Sequence, residues 1–330
     1  MPAPRILAGP EAIAEGVRAL ASGQPVAFPT ETVYGLAADA TDPAAVDRVF
    51  ALKGRPSNNP LIVHVSDAEM ARSVTAAWPG NAQRLVDRHW PGPLTLVLPK
   101  ADAVPSIVTA DGPTVAVRCP DHPVALALIE AFGKPIVGPS ANPSGRVSPT
   151  TADHVAAGFP DTDIPDGLVI IDGGPCRAGI ESTVLDLTAD PPAILRPGVL
   201  GPSELAETLD APVNAAPQTG SAQTRSSQTK SPGLLGPHYQ PRAPVRLTDA
   251  PPSDPPAGTT LIAWSQAAGP RTIAIPPEPA GYAAALYAAL HRADASGCDT
   301  ILIETPARPT DPADAHLHDA IMERLNRASP

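Results

Sequence analysis

The spacing of apolar residues changes repeatedly along the chain. Residues 11–21 place Ile13, Val17 and Leu20 on one helical face. Residues 43–52 read as a helix with Pro43 at its first position. A further helix is expected around 80–89, and "HPVALALIEAFG" is one closed by Gly133. Between them lie short apolar runs that read as buried strands: "PVAF", broken at Pro29, then "LIVHV", "LTLVL", "TVAVR", "KPIVG", "GLVIID", "STVLDL" and "AILR". Several strands follow one another without a helix between them. That favours an α/β fold with a mixed sheet over a strictly parallel one. A short helix at 203–210 ends this part.

Composition shifts after that helix. Residues 211–244 are polar and rich in Pro, Gly, Ser, Thr and Gln, the signature of a linker. Its second half carries "SPGLLGPHYQP", larger residues than a plain tether needs. Periodicity then resumes with a strand "TTLIAW", an Ala-rich helix ended by Gly297, a strand "DTILIE" and a helix at 313–327. The expected division is 1–210, a linker at 211–244, and a second, smaller α/β domain at 245–330. A chain of 330 residues is long enough for two domains.

Composition narrows the possibilities. Apolar residues make up 43% but aromatics only 3%, so the core must be aliphatic. The formal net charge is -11, and residues 1–210 alone carry 14 Lys and Arg against 24 Asp and Glu. That balance argues against a broad RNA surface and against direct tRNA binding. No apolar run approaches the ~20 residues of a membrane span, and the first residues lack a signal-peptide pattern. Cys119, Cys176 and Cys298 lie far apart with no CxxC spacing, so neither zinc nor a disulfide framework is expected. The expectation is a soluble, cytoplasmic protein. Familiar nucleotide loops are missing: Gly174 and Gly179 have Walker spacing, but Ile180 and Glu181 follow them.

The polar residues cluster where the apolar strands stop. They are Thr30, Glu31 and Thr32; Lys53, Arg55, Asn59 and His64; Thr114 and Arg118; Ser140, Asn142 and Ser148; Glu181, Ser182 and Arg196. Each alone is also an ordinary turn, cap or core histidine. Together, four cations and a set of hydroxyls suit a carboxylate plus several phosphates, since arginine offers a fork and lysine a point charge.

The motifs that hold these residues are "FPTETVYGL", "KGRPSNNPLIVHV", "WPGPLTLVL", "VAVRCP", "PIVGPSANPSGRVSPT", "ESTVLDL" and "ILRPG". In this order they resemble the threonylcarbamoyl-AMP synthase (YrdC-like) family. "SPG" and "HYQP" with the trailing domain resemble its long, two-domain form. The resemblance implies a twisted mixed-sheet YrdC-like catalytic domain over 1–210, with 211–244 serving also as an active-site lid. It implies that L-threonine, bicarbonate and ATP give threonylcarbamoyl-adenylate and pyrophosphate, the product passing to tRNA-modifying partner proteins. By motif, Thr32, His64, Arg118, Gly138 and Ser182 would hold threonine, Arg118 taking the carboxylate. Arg55, Asn59, Thr114, Ser140, Asn142, Ser148, Arg196 and Tyr239 would hold ATP. Lys53 and Arg55 would be catalytic, and Mg2+ is expected on the phosphates, with no metal site of the protein's own. Both reactants are anionic, so catalysis would rest on charge neutralisation and alignment. An RNA-binding module and a carbamoyltransferase-like enzyme are the alternatives.

Overall fold

In the computed structural model, residues 2–215, 238–309 and 311–329 are described. The first part of the chain runs β1 (Arg5–Ala8), α1 (Pro10–Ala21), β2 (Val26–Phe28), β3 (Gly35–Asp39), α2 (Pro43–Lys53), β4 (Ile62–His64), α3 (Ala68–Ser73) and α4 (Gly80–His89). It continues with β5 (Leu94–Pro99), β6 (Thr114–Arg118), α5 (Pro123–Phe132), β7 (Ile136–Val137), α6 (Ala152–Gly158), β8 (Val169–Asp172), β9 (Thr183–Asp186), β10 (Ala193–Arg196) and α7 (Pro202–Leu209). Local chemistry sets the helix ends. Asp42 caps α2 by accepting the Ala44 N–H, Pro43 occupies its first turn, and Gly54 closes it with φ 60°. Pro123 and Gly133 do the same for α5.

The strands form one mixed sheet in the order β1-β8-β2-β3-β7-β4-β6-β5-β9-β10. Side-chain alternation divides its two faces. Val63, Val117, Leu96 and Leu185 face the main core, against Val46, Val49 and Leu85 of α2 and α4. The residues between them, Ile62, Val97, Ala116 and Val184, form a separate small cluster on the other face. His64 and Arg118 share that face, because His64 follows Ile62 by two and pairs with Arg118 in register. A β-bulge between Ile194 and Arg196 sets Arg196 opposite Val184, so its side chain joins them.

After residue 238 come β11 (Val245–Thr248), β12 (Thr259–Ala263), β13 (Thr272–Ala274), α8 (Pro279–Ala295), β14 (Thr300–Glu304) and α9 (Pro312–Ala328). The four strands are parallel in the order β11-β14-β12-β13. Their core does not stop at the expected boundary. Ile262, Leu286, Ile301, Ile321 and Leu325 belong to one apolar cluster with Val33, Val147 and Ile180 of the first part.

Six elements were not legible from periodicity. Strands β1, β3, β11 and β13 and helices α3 and α6 are short, and β3 ("GLAAD") is built from small residues with no β-branched member. Much of the expected linker, residues 216–237, lies outside the described residues. Residues 238–244 are packed in place: the Gln240 N–H donates to Gly145 O at 2.9 Å, and the Arg242 and Ala243 N–H groups donate to Asp294 Oδ1 at 2.7 and 3.1 Å.

Candidate active site

A cleft, partly open to solvent, lies on the face that carries His64, Arg118 and Arg196. Its first wall is the loop after β2. Thr30 Oγ1 accepts the N–H groups of Thr32 and Val33 at 3.1 and 3.2 Å and donates to Val33 O at 2.7 Å. This self-bonded turn presents Thr32, whose Oγ1 accepts from Arg118 Nη1 at 3.0 Å. Arg118 Nε donates to Gly92 O at 3.2 Å. Its Nη2 lies 2.7 Å from Glu31 Oε2 at an angle too poor for a hydrogen bond, and neither Glu31 oxygen has a hydrogen-bond partner. The pair is a buried charge contact, with each side chain 4% exposed. A buried cation with an unfilled donor is ready for a second anion.

His64 stands beside this arginine. Burial, and then the Arg118 charge, push its pKa down to about 3, so the ring is neutral near pH 7. Its Nδ1 is buried without a hydrogen-bond partner. Gly138 leaves room beside that nitrogen: a Cβ there would lie 2.5 Å from it.

The opposite end holds Arg55 and Arg196. Arg55 donates through Nε to Asn59 O at 3.0 Å and through Nη2 to Pro60 O at 2.8 Å. Arg196 donates to Ser182 O at 2.9 Å and to Ser182 Oγ at 3.1 Å. Neither has a carboxylate at ion-pair distance among the described residues. Burial and the neighbouring Arg196 bring the Arg55 pKa down to about 9, and burial also lowers that of Arg196. Two guanidiniums held together out of water, without a carboxylate of the described residues in direct contact, suit a polyanion.

Of the residues expected from sequence, Thr32, His64, Arg118, Gly138, Arg55, Ser140, Arg196 and Tyr239 line this cleft. The others do not line it. Lys53 Nζ donates to Ser140 O and Asn142 O at 2.5 and 2.6 Å, so the ammonium ties down the "PSAN" turn. Burial, with Arg55 nearby, holds its pKa well below the usual lysine value. Asn142 clamps the same turn through Pro143 O and Arg146 O. Asn59 is buried with its Oδ1 unpartnered, Ser182 pairs with Thr95 at 2.8 Å, and Thr114 opens β6 two turns of the pleat from Arg118. Ser148 Oγ donates to Glu181 Oε1 at 2.8 Å.

The wall also contains residues for which sequence reading gave no role, among them Ile62, Pro139, Glu181 and His238. Ile62 could have been found from its two-residue offset to His64. Glu181 is already among the polar residues at strand ends, but its role was not legible, because Tyr287 and Arg324 come from the far end of the chain. Tyr287 Oη donates to Glu181 Oε2 at 3.0 Å, and Arg324 Nε does so at 3.2 Å. Burial alone would raise the Glu181 pKa, but Arg324 and Arg196 outweigh it and hold the carboxyl below its ordinary range.

The geometry has counterparts among known proteins. A family model described as "Telomere recombination", covering Sua5, YciO and YrdC, matches residues 18–198. A second, described as "Threonylcarbamoyl-AMP synthase, C-terminal domain", matches residues 202–330. The chain belongs to the threonylcarbamoyl-AMP synthase family. It is 54% identical over 178 residues to the threonylcarbamoyl-AMP synthase of Pyrococcus abyssi, a match covering 53% of this chain and 51% of that one. To the Bacillus subtilis synthase it is 44% identical over 243 residues, covering 73% and 67%. The matched stretch thus spans about half of the first relative and two thirds of the second. The crystal structure of P. abyssi Sua5 complexed with L-threonine superposes with TM-score 0.86 at 37% identity, covering 99% of this chain and 97% of that one. Among the described residues no helix is long and apolar enough to cross a membrane.

Proposed function

We propose that this family member makes L-threonylcarbamoyl-adenylate from L-threonine, bicarbonate and ATP. The observation that carries the reading is the convergence of Arg55, Arg118 and Arg196 in one buried cleft beside a neutral His64 with a free nitrogen. Threonine carbamate and triphosphate need such a set, because each is anionic and they repel in water. Arg118 would take the threonine carboxylate through its unfilled donor. Thr32 and His64 would orient the rest of the amino acid, with Ser182 fixed behind them. Arg55 and Arg196 would hold the phosphates, with Ser140 and Tyr239 along the nucleotide and Asn59, Thr114, Asn142 and Ser148 supporting that wall.

The threonine amine takes up bicarbonate as a carbamate with loss of water. A carbamate oxygen then forms a bond to the α-phosphorus, the bond from that phosphorus to the β-phosphate oxygen breaks, and pyrophosphate leaves. No covalent link to the protein is required. Alignment and a fixed positive field supply the rate. Lys53, bound to two carbonyls, would act by holding the "PSAN" turn and by adding charge behind Arg55.

Mg2+ fits as a passenger on ATP. Among the described residues no group of three or more His, Cys, Asp or Glu could hold a metal, and Glu181 is already bonded to Ser148, Tyr287 and Arg324. Phosphate oxygens and water would hold the ion, where it neutralises charge. The unstable product would be consumed by a separate protein that transfers it to tRNA. The test is incubation of the purified chain with threonine, labelled bicarbonate and ATP. Threonine-dependent pyrophosphate and a labelled adenylate are expected. Pyrophosphate release indifferent to threonine would reject the proposal.

A further inference from the structure

Several polar side chains of α9 are largely buried, with His318, Glu323 and Arg327 at 12–14% exposure, and one is buried completely. Arg324 is 0% exposed and is the largest fully buried side chain among the described residues. Burying a guanidinium is costly unless its donors are matched, so its partners show what it serves. Nε meets Glu181 Oε2 at 3.2 Å, and Nη1 donates to Pro197 O at 2.8 Å and to Glu323 Oε2 at 2.9 Å. Two of those three partners belong to the first sheet's part of the molecule. The guanidinium carbon also lies 5.8 Å from the centre of the Tyr239 ring, within cation–π range.

Tyr239 needs support of this kind. It is 4% exposed, lines the cleft and has φ 63°, a left-handed conformation that a bulky residue does not hold unaided. Its ring stacks on Tyr287 of α8, centroids 5.4 Å apart at 23°. Tyr287 in turn donates to Glu181. Arg324, Glu181, Tyr287 and Tyr239 therefore form one buried network of two helices, one loop and the segment that crosses between the sheets.

We infer that Arg324 is a positioning residue, the pin through which docking of α8 and α9 holds Tyr239 against the nucleotide end of the cleft. The second sheet is then part of the site: without α9, Glu181 keeps Ser148 and Tyr287 but loses its ion pair with Arg324, and Tyr239 loses one face of its support. The catalytic consequence rests on the activity proposed above, but the structural one does not.

The experiment uses the full-length chain and the variants Arg324→Met, Arg324→Lys and Glu181→Gln. Hydrogen exchange at the Gln240 amide, which bonds Gly145 across the two parts, reads the pin without any turnover. Arg324→Met should speed exchange there more than tenfold and leave amides of β12 and β14 unchanged, with Arg324→Lys between it and the parent. Steady-state kinetics should show a KM for ATP raised at least tenfold in Arg324→Met and less than twofold for threonine. The double variant Arg324→Met with Glu181→Gln should be no worse than the worse single one. Unchanged exchange at Gln240 overturns the inference, as does faster exchange spread evenly over β12 and β14. If Arg324→Met does not fold, Arg324→Lys decides: parent-like exchange and ATP KM in that variant overturn it. If the parent chain shows no threonine-dependent turnover, the activity proposal fails while the exchange arm still tests the pin.

Discussion

A methyl group added to Gly138 would sit 2.5 Å from His64 Nδ1, closer than real Cβ contacts allow, and a tight 3.1 Å from Phe28 Cζ. Phe28 already packs edge-on against the His64 ring, so the ring has little freedom to retreat. Gly138→Ala should therefore weaken threonine binding by about 1–3 kcal/mol, the usual penalty for overpacking a tight site. ATP binding should change little, because Arg55 and Arg196 lie at the other end. Calorimetric titration of each ligand checks this, and equal losses for both would contradict it. His64, Arg118 and Arg196 were legible in the sequence as polar residues ending apolar runs. Glu31's contact with Arg118 was not, since residues 87 positions apart meet only through strand pairing. The attachment of Lys53 to two carbonyls was equally hidden: a sequence gives a charge, not its partner.

Helices α6 and α8 meet through two imidazoles. The rings of His154 and His291 stack 4.0 Å apart at 14°. His154 Nδ1 faces the Thr150 N–H and hydroxyl at 3.4 and 3.3 Å, and His291 Nε2 faces Ser148 O at 3.1 Å, with Asp294 adding a negative charge nearby. Burial, then His291, brings the His154 pKa down to about 4, and burial lowers that of His291. An unfolded histidine titrates near 6.5. Below that pH the unfolded chain therefore binds protons that the folded pair refuses, and stability rises with pH across the window. Stability from this contact is complete above about pH 6.5 and declines as the pH falls toward 4. Thermal unfolding between pH 7.5 and 4.5 should show the decline, and His154→Phe, which keeps a stacked ring but cannot titrate, should flatten part of it. Parallel slopes in the two proteins would refute the assignment. At this scale the sequence was readable where an element was long or capped, as with α2, α5 and α8. It was silent on β3, which is a strand because neighbours on both sides hydrogen-bond it.

The two sheets share one apolar cluster, from Val33 and Ile180 to Leu286 and Leu325, and this predicts joint unfolding. Gly179 is the close-approach point, with φ 70° and a Cβ position 2.5 Å from Ala283 O and from Ala284 Cα of α8. Backbone cannot yield as a side-chain tip can, so Gly179→Ala should cost about 1–3 kcal/mol. Scanning calorimetry should give a single transition for the parent and a lower midpoint for the variant. Two separate transitions in the parent would show that the sheets unfold independently. The formal charge of -11 adds a bound on partners, because an acidic balance disfavours a broad phosphate-binding surface, while the cleft gathers cations locally. The sequence by itself determined the class of the fold, the change in composition near residue 211 and the chemical character of the site. Those properties depend on side-chain type and on spacing within one element, which a linear string carries. Only the tertiary structure decided that the cleft occupies a sheet face, that a bulge turns Arg196 into it, and that Arg324 reaches Glu181 of its wall from over a hundred positions away. Those outcomes depend on which strands pair and which faces meet, and these are settled by packing over the whole chain.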